Sequence, residues 1–399
     1  MNRPTRSSSD PLLIALAYVG FVSLGLPDAV IGVVWPTVRD TFRLHQGAVG
    51  IVFVASGFGY FMTSFLSGRL TQVLGIGLLL AASTGLVAAA MFGFASSPLW
   101  VLFVTCAVVH GLGSGAIDAG LNGYAAHYLS ARHMNWLHAC YCFGAMLGPL
   151  LMTAVLTSGL HYSTGYSIVG GVMLALSVMF LATRPSWGEA SATAEVAGQR
   201  VGTGEALRHS VVLLQMGVFF LYTGLEMTFS QWVFTVLTES RGVSPGPAGV
   251  AVGVFWGSIG LGRVAGGLVA DRVGIDRLLR YCMAAAVAGA VLLAIPFSVE
   301  AAFAGLALAG VGLAPVFPCL MTRTPQRLGP ALSAHAVGFQ VGAAMVGAAA
   351  VPGALGLIAD RNGLEAVPVG TVVLAGVMWL LHEGLVRRPD VGATTGLTV

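Results

Sequence analysis

No lysine occurs anywhere in the 399 residues, so all 19 basic residues are arginines. A phosphate-gripping P-loop needs a lysine after its glycines, and a pyridoxal enzyme needs one for its Schiff base; neither chemistry is open to this chain. Unless a partner subunit hydrolyses ATP, any active transport here runs on an ion or solute gradient. Charge of both signs is scarce: 19 basic and 16 acidic residues make up 9% of the chain, against about 25% in soluble domains. That is too few to cover a water-facing globule, so most of the surface must face lipid. The net charge of +3 is small and scattered, which leaves no nucleic-acid footprint. No HExxH, GxSG or GxGD pattern occurs, so an intramembrane enzyme is not expected, and no cofactor is implied. The 5 cysteines are odd in number and lie within apolar stretches, where they read as small buried hydrophobes rather than a disulfide framework or metal site.

What is present is apolar, 56% of the residues being hydrophobic. A bilayer core of about 30 Å needs roughly 20 apolar residues per helix. Twelve such stretches can be drawn: Leu12 to Trp35, Gly47 to Gly68, Leu74 to Phe94, Leu99 to Ala125, Asn135 to Leu156, Thr164 to Ala182, Val211 to Leu237, Pro247 to Ala270, Leu279 to Phe297, Ala301 to Met321, Leu332 to Ile358 and Val367 to Val386. The first is too long, and too interrupted by Asp28, for a cleaved signal sequence, and should remain as a helix. Placing the N-terminus inside gathers most arginines on the cytoplasmic side and leaves only Arg39, Arg43, Arg241 and Arg361 on the other, so both termini are expected in the cytoplasm of a cell with this protein in its plasma (inner) membrane.

The longest polar segment, 184–209, divides the chain into an N-terminal six-helix bundle (1–183) and a C-terminal one (210–387), followed by a short flexible tail (388–399). The halves resemble each other weakly. SGRLTQVLG (Ser67 to Gly75) aligns with GGLVADRVG (Gly266 to Gly274), and GLPD around Asp28 aligns with GLE ending at Glu226. The expected fold is an all-α integral membrane protein of twelve transmembrane helices in two six-helix bundles related by a pseudo-two-fold repeat, a pattern that marks transporters.

A charge at the centre of a membrane helix costs about 2.5–3.5 kcal/mol, so three mid-span acids, Asp28, Asp118 and Glu226, are candidates for proton coupling. On the fourth stretch, His110, Ser114, Asp118 and Asn122 recur every four residues and form one polar stripe. Such a stripe suits an aqueous cavity, with Asp118 exchanging a proton and Asn122 bonding a hydroxylated solute. The alternative is a polar clamp between helices. Pro27 cannot donate its backbone hydrogen bond and so loosens the helix beside Asp28. Glu226 shares a face with Tyr222 and Ser230, an acid beside an aromatic ring, which suits a sugar-like ligand; a structural carboxylate is the competing reading. Asn135 and His138 on the fifth stretch, and Phe339 and Gln340 on the eleventh, complete the expected solute contacts. His138 serves either as a contact or as a buried hydrogen-bonded side chain. A metal site at HACYC is disfavoured, because Cys140 points away from His138. Pro315 and Pro318 read as a kink or gate, and Arg263 as a structural residue that snorkels or pairs between helices.

These residues resemble a known family. GGLVADRVG is similar to the inner-loop motif G-x-L-x-D-R-x-G of the major facilitator superfamily, and the resemblance implies a gating role for Gly267, Asp271, Arg272 and Gly274. The first-half copy lacks the Asp and the following Arg. Within the superfamily, Asp28, Asp118 with Asn122, and NWLHACYCFG from Asn135 resemble the fucose/proton symporter branch, which implies that Asp28 and Asp118 are the proton-binding and substrate-coupled acids. The branch has Glu where Asp118 stands, Asn where Pro27 stands and Gln where His138 stands. The expected function is secondary active transport by alternating access, as proton-coupled symport of a small hydroxylated solute such as a sugar. The competing expectation is a proton-coupled antiporter exporting a drug or metabolite, which the many Phe and Met residues would also fit. The expected partners are the solute, protons and the lipid bilayer, without nucleic acid, and the chain is expected to act as a monomer.

Overall fold

The computed structural model describes residues 11–129, 131–187 and 207–388. Among them every regular element is helical. In chain order the long helices are α1 (Pro11–Asp28), α2 (Val30–Phe42), α3 (Val49–Leu74), α4 (Ile76–Ser96), α5 (Trp100–Tyr128), α6 (Ala131–Thr157) and α7 (Tyr162–Ala182). The second half supplies α8 (Ser210–Thr235), α9 (Pro245–Val273), α10 (Ile275–Leu293), α11 (Val299–Leu313), α12 (Val316–Asn362) and α13 (Ala366–Val386). Length and composition qualify 11 spans to cross a membrane. The remaining crossing, the ninth expected from the sequence, is α10, whose first turns carry Asp276, Arg277 and Arg280.

The helix breaks follow local chemistry. The first crossing is interrupted at Ala29, directly after Pro27 and Asp28, where the missing proline N–H removes a rung of the helix ladder. Gly274 separates α9 from α10 at φ 84, and Gly329 bends α12 at φ 72, left-handed positions that suit a residue without Cβ. The tenth expected crossing is thus α11 together with the first limb of α12, which continues it past Pro315, and the eleventh is the second limb of α12.

The chain divides into two compact units. Unit 1 takes in the described residues of Met1–Val34 and Ala55–Thr193, and unit 2 those of Trp35–Val54 and Ala194–Val399. The division falls within the expected linker, most of which lies outside the described residues, as does nearly all of the expected tail 388–399. Residues 35–54 group with unit 2, although in sequence they belong to the first half. Close packing explains this grouping. A Cβ on Gly50 would meet Gly353 Cα at 3.1 Å, and one on Gly356 would meet Gly47 Cα at 3.0 Å, so paired glycines let α3 and α12 cross with their backbones nearly touching. Asp360 then accepts hydrogen bonds from the backbone N–H of Gln46 (2.7 Å) and Gly47 (2.9 Å), groups that a helix start leaves unpaired. Arg39 donates to Glu239 at 2.8 Å in the same region.

Candidate functional site

In unit 1 the polar residues converge because glycines bring two pairs of helix backbones together. A Cβ at Gly111 would strike the Ser56 carbonyl oxygen, and one at Gly115 the Tyr60 carbonyl oxygen, so only glycine admits α3 this close to α5. Gly25 and Gly144 do the same for α1 against α6. Short side chains on one helix can therefore reach acids on the next.

The result is two polar clusters that together draw on four helices. Tyr60 donates its hydroxyl to Asp118 Oδ2 at 2.6 Å, and Asn122 donates its amide to Asp118 Oδ1 at 2.8 Å. Tyr141 donates to Asp28 Oδ2 at 3.0 Å. His110 Nε2 lies 3.5 Å from Asp28 Oδ1 and 3.3 Å from Ser114 Oγ, while its Nδ1 lies 3.2 Å from Ser56 Oγ. The helical stripe His110, Ser114, Asp118, Asn122 is present on α5, and it is bonded to α3 and α1 rather than standing alone. Asp28 keeps 22% of its side chain accessible, and Asp118 and Asn122 are also part-exposed, so both acids remain within reach of water.

Unit 2 treats its interior acid differently. Glu226, 9% exposed, faces Arg263 of α9 at 3.4 Å, and Arg263 also reaches the Tyr222 hydroxyl at 3.4 Å. The arginine therefore pairs between helices. Tyr222 packs its ring near Phe317, with centroids 6.3 Å apart. Gln340 is fully buried in a separate cluster: Gln340 and Gln215 both donate to Thr324 Oγ1, at 3.0 and 3.2 Å. Phe339 is part-exposed.

Of the expected solute contacts in unit 1, Asn122 sits on Asp118. The His138 ring stands edge-on to Phe21 at 5.3 Å. The side chain of Asn135 lies outside the described residues, as does that of Asp271. Gly267 and Arg272 are exposed near the end of α9, and Gly274 forms the break that follows. None of the five cysteines forms a disulfide among the described residues.

Three partners were not singled out in the sequence: Ser56, Tyr60 and Tyr141. Ser56 and Tyr60 are four residues apart on α3, the spacing that matches His110 and Ser114 on α5, and that repeat was the available signal.

An all-helical chain with this many apolar spans and ionisable groups inside them is a multi-pass membrane transporter. The chain belongs to the Major Facilitator Superfamily, whose family model matches residues 17–352. It is 25% identical to Bypass of stop codon protein 6 of Saccharomyces cerevisiae over 94% of this chain and 83% of that protein. It is 24% identical to the glucose/mannose transporter GlcP of Bacillus subtilis over 76% of this chain and 78% of that one. It is also 24% identical to the human sodium-dependent glucose transporter 1, over 60% of this chain and 52% of that protein. Among solved structures, a variant of the E. coli fucose:proton symporter FucP shares the fold at TM-score 0.65 and 15% identity, covering 96% of this chain and 100% of that one. A bacterial homologue of the human lysosomal transporter Spinster does so at TM-score 0.75 and 13% identity, covering 97% and 98%. The fold is thus the twelve-helix, two-bundle fold of this superfamily, whose members are transporters and not enzymes.

Proposed function

We propose that the protein is a proton-coupled symporter of a small hydroxylated solute such as a sugar, working by alternating access. The observation that carries this reading is the unit 1 network. Asp28 and Asp118 lie in membrane-spanning helices with hydroxyl, amide and imidazole partners, and no arginine stands among their described partners. A carboxylate left without a fixed cation in such a place is costly when ionised and cheap when protonated. Proton binding therefore removes the charge that opposes closure around the solute, and proton release on the other side resets the carrier. Asn122 gives its amide N–H to Asp118, so solute contact through Asn122 depends on the protonation state of the acid. Glu226, expected as a third proton carrier, is better suited to solute contact beside Tyr222, because Arg263 supplies its counter-charge.

Asn135, His138, Phe339 and Gln340 complete the proposed solute contacts, and Gly267, Asp271, Arg272 and Gly274 the proposed gate. The likeness to glucose-transporting relatives, and to the fold of a fucose:proton symporter, favours a sugar. The arginine distribution favours a plasma (inner) membrane location with both termini cytoplasmic, and a monomer suffices for the mechanism.

The test is proton movement in proteoliposomes under an imposed pH gradient, with D-glucose, L-fucose and a hydrophobic cation as probes. Alkalinisation of the outside on adding a sugar is the expected result. Acidification on adding the cation would instead establish antiport. Uptake that follows a sodium gradient and ignores the pH gradient would replace the coupling ion.

A further inference from the structure

His110 is the only imidazole in the unit 1 network among the described residues, and both of its ring nitrogens are engaged. Nε2 faces Asp28 Oδ1 at 3.5 Å and Ser114 Oγ at 3.3 Å; Nδ1 faces Ser56 Oγ at 3.2 Å. The groups around it are Asp28 from α1, Ser56 and then Tyr60 from α3, Ser114 and Asp118 along α5 itself, and the Phe94 ring of α4 at 6.4 Å. Tyr141 of α6 bonds the far oxygen of Asp28. An ionised Asp28 can only accept, so Nε2 must then carry the hydrogen and Nδ1 must accept from the Ser56 hydroxyl. Serine hydroxyls turn from donor to acceptor by rotation, so once Asp28 is protonated the opposite tautomer is met as well.

We propose that Asp28 and His110 hold the exchangeable proton jointly, with the imidazole passing it between Ser56 and the acid by switching tautomer. A hydronium ion gives up a proton that forms the Nδ1–H bond and leaves water, the Nε2–H bond breaks, and its proton forms the Oδ1–H bond of Asp28. The ring stays neutral, Ser56 turns to accept from Nδ1–H, and the Ser114 hydroxyl turns to donate to Nε2. The net change is one proton on Asp28. This deepens the symport reading and rests on it only for the use made of the proton.

The experiment is 15N NMR of the histidine-labelled full-length protein in nanodiscs, with His110 assigned by its loss in His110→Gln and the Asp28 carboxyl followed by 13C. The expected result is an Nε2–H ring at high pH that becomes Nδ1–H over the interval in which Asp28 protonates, a change abolished in Asp28→Asn. A ring that keeps one tautomer while Asp28 titrates overturns the proposal. So does a ring that becomes a cation independently of Asp28. Tautomer switching in a wild-type protein that ignores pH gradients in vesicles would sink symport and leave the Asp28–His110 pair standing.

Discussion

The two units solve the same problem, an acid inside the membrane, in opposite ways. Unit 1 surrounds Asp28 and Asp118 with tyrosine, serine, asparagine and histidine, which can serve either protonation state. Unit 2 sets Arg263 against Glu226, which favours the ionised state only. Hydrogen-bonding partners that can reverse leave an acid free to change its charge; a fixed cation holds it constant. Under the proposed symport, unit 1 would exchange the proton and unit 2 would hold a permanent dipole beside a ring. A buried ion pair contributes little net stability by itself, but removing one partner is expensive.

The largest expected effect that would break this contrast is in unit 1. Asp118→Asn should abolish accumulation driven by a pH gradient, a loss of at least about 100-fold, on the order of 3 kcal/mol of coupling, while counterflow without a gradient survives. Accumulation at wild-type level would erase the distinction between the units. Next, Glu226→Gln should destabilise unit 2 by about 3–5 kcal/mol by taking from Arg263 its carboxylate, read as a lowered Tm in detergent. Adding Arg263→Gln should restore most of the loss, and a double variant no better than the single one would show that the pair is not the cause. Tyr60→Phe should cost about 1.5–3 kcal/mol, the worth of a hydrogen bond to a charged group, measured as reduced stability of the form with Asp118 ionised.

The smallest effect lies outside the membrane. Arg241 donates twice to Glu365, at 2.9 and 2.8 Å, and with Ser240 holds its carboxyl below the ordinary value of 4.5. A depressed carboxylate stabilises the fold above its unfolded value and loses that contribution as pH falls through the lower, folded one. Acid unfolding of Glu365→Gln should accordingly show a slightly shallower pH dependence below about 4.5 than wild type. An identical profile would remove this pair from the account.

The fold was legible because lipid imposes one rule, long apolar helices, that composition alone reveals. The α5 stripe was legible because it lies on a single helix, and the break beside Asp28 because Pro27 announces it. The partners of those acids were harder to read, since Tyr60, Tyr141 and Ser56 come from other helices and depend on glycine crossings that no linear period encodes. The Glu226–Arg263 pair lies between these cases. The sequence shows one arginine inside a span and one acid in the neighbouring helix, and only the geometry joins them. Least legible was the grouping of residues 35–54 with unit 2, which depends on the match of Gly47 and Gly50 to Gly353 and Gly356.

That glycine match bears on how such a protein can evolve. The covalent seam in the linker is not the packing seam, because twenty residues encoded in the first half of the gene complete the second unit. Halves from two related carriers could not be spliced at the linker without mismatching this crossing. A first-half fragment made alone would carry an orphaned helix–turn–helix, so the two fragments, expressed as separate chains, should survive only when made together.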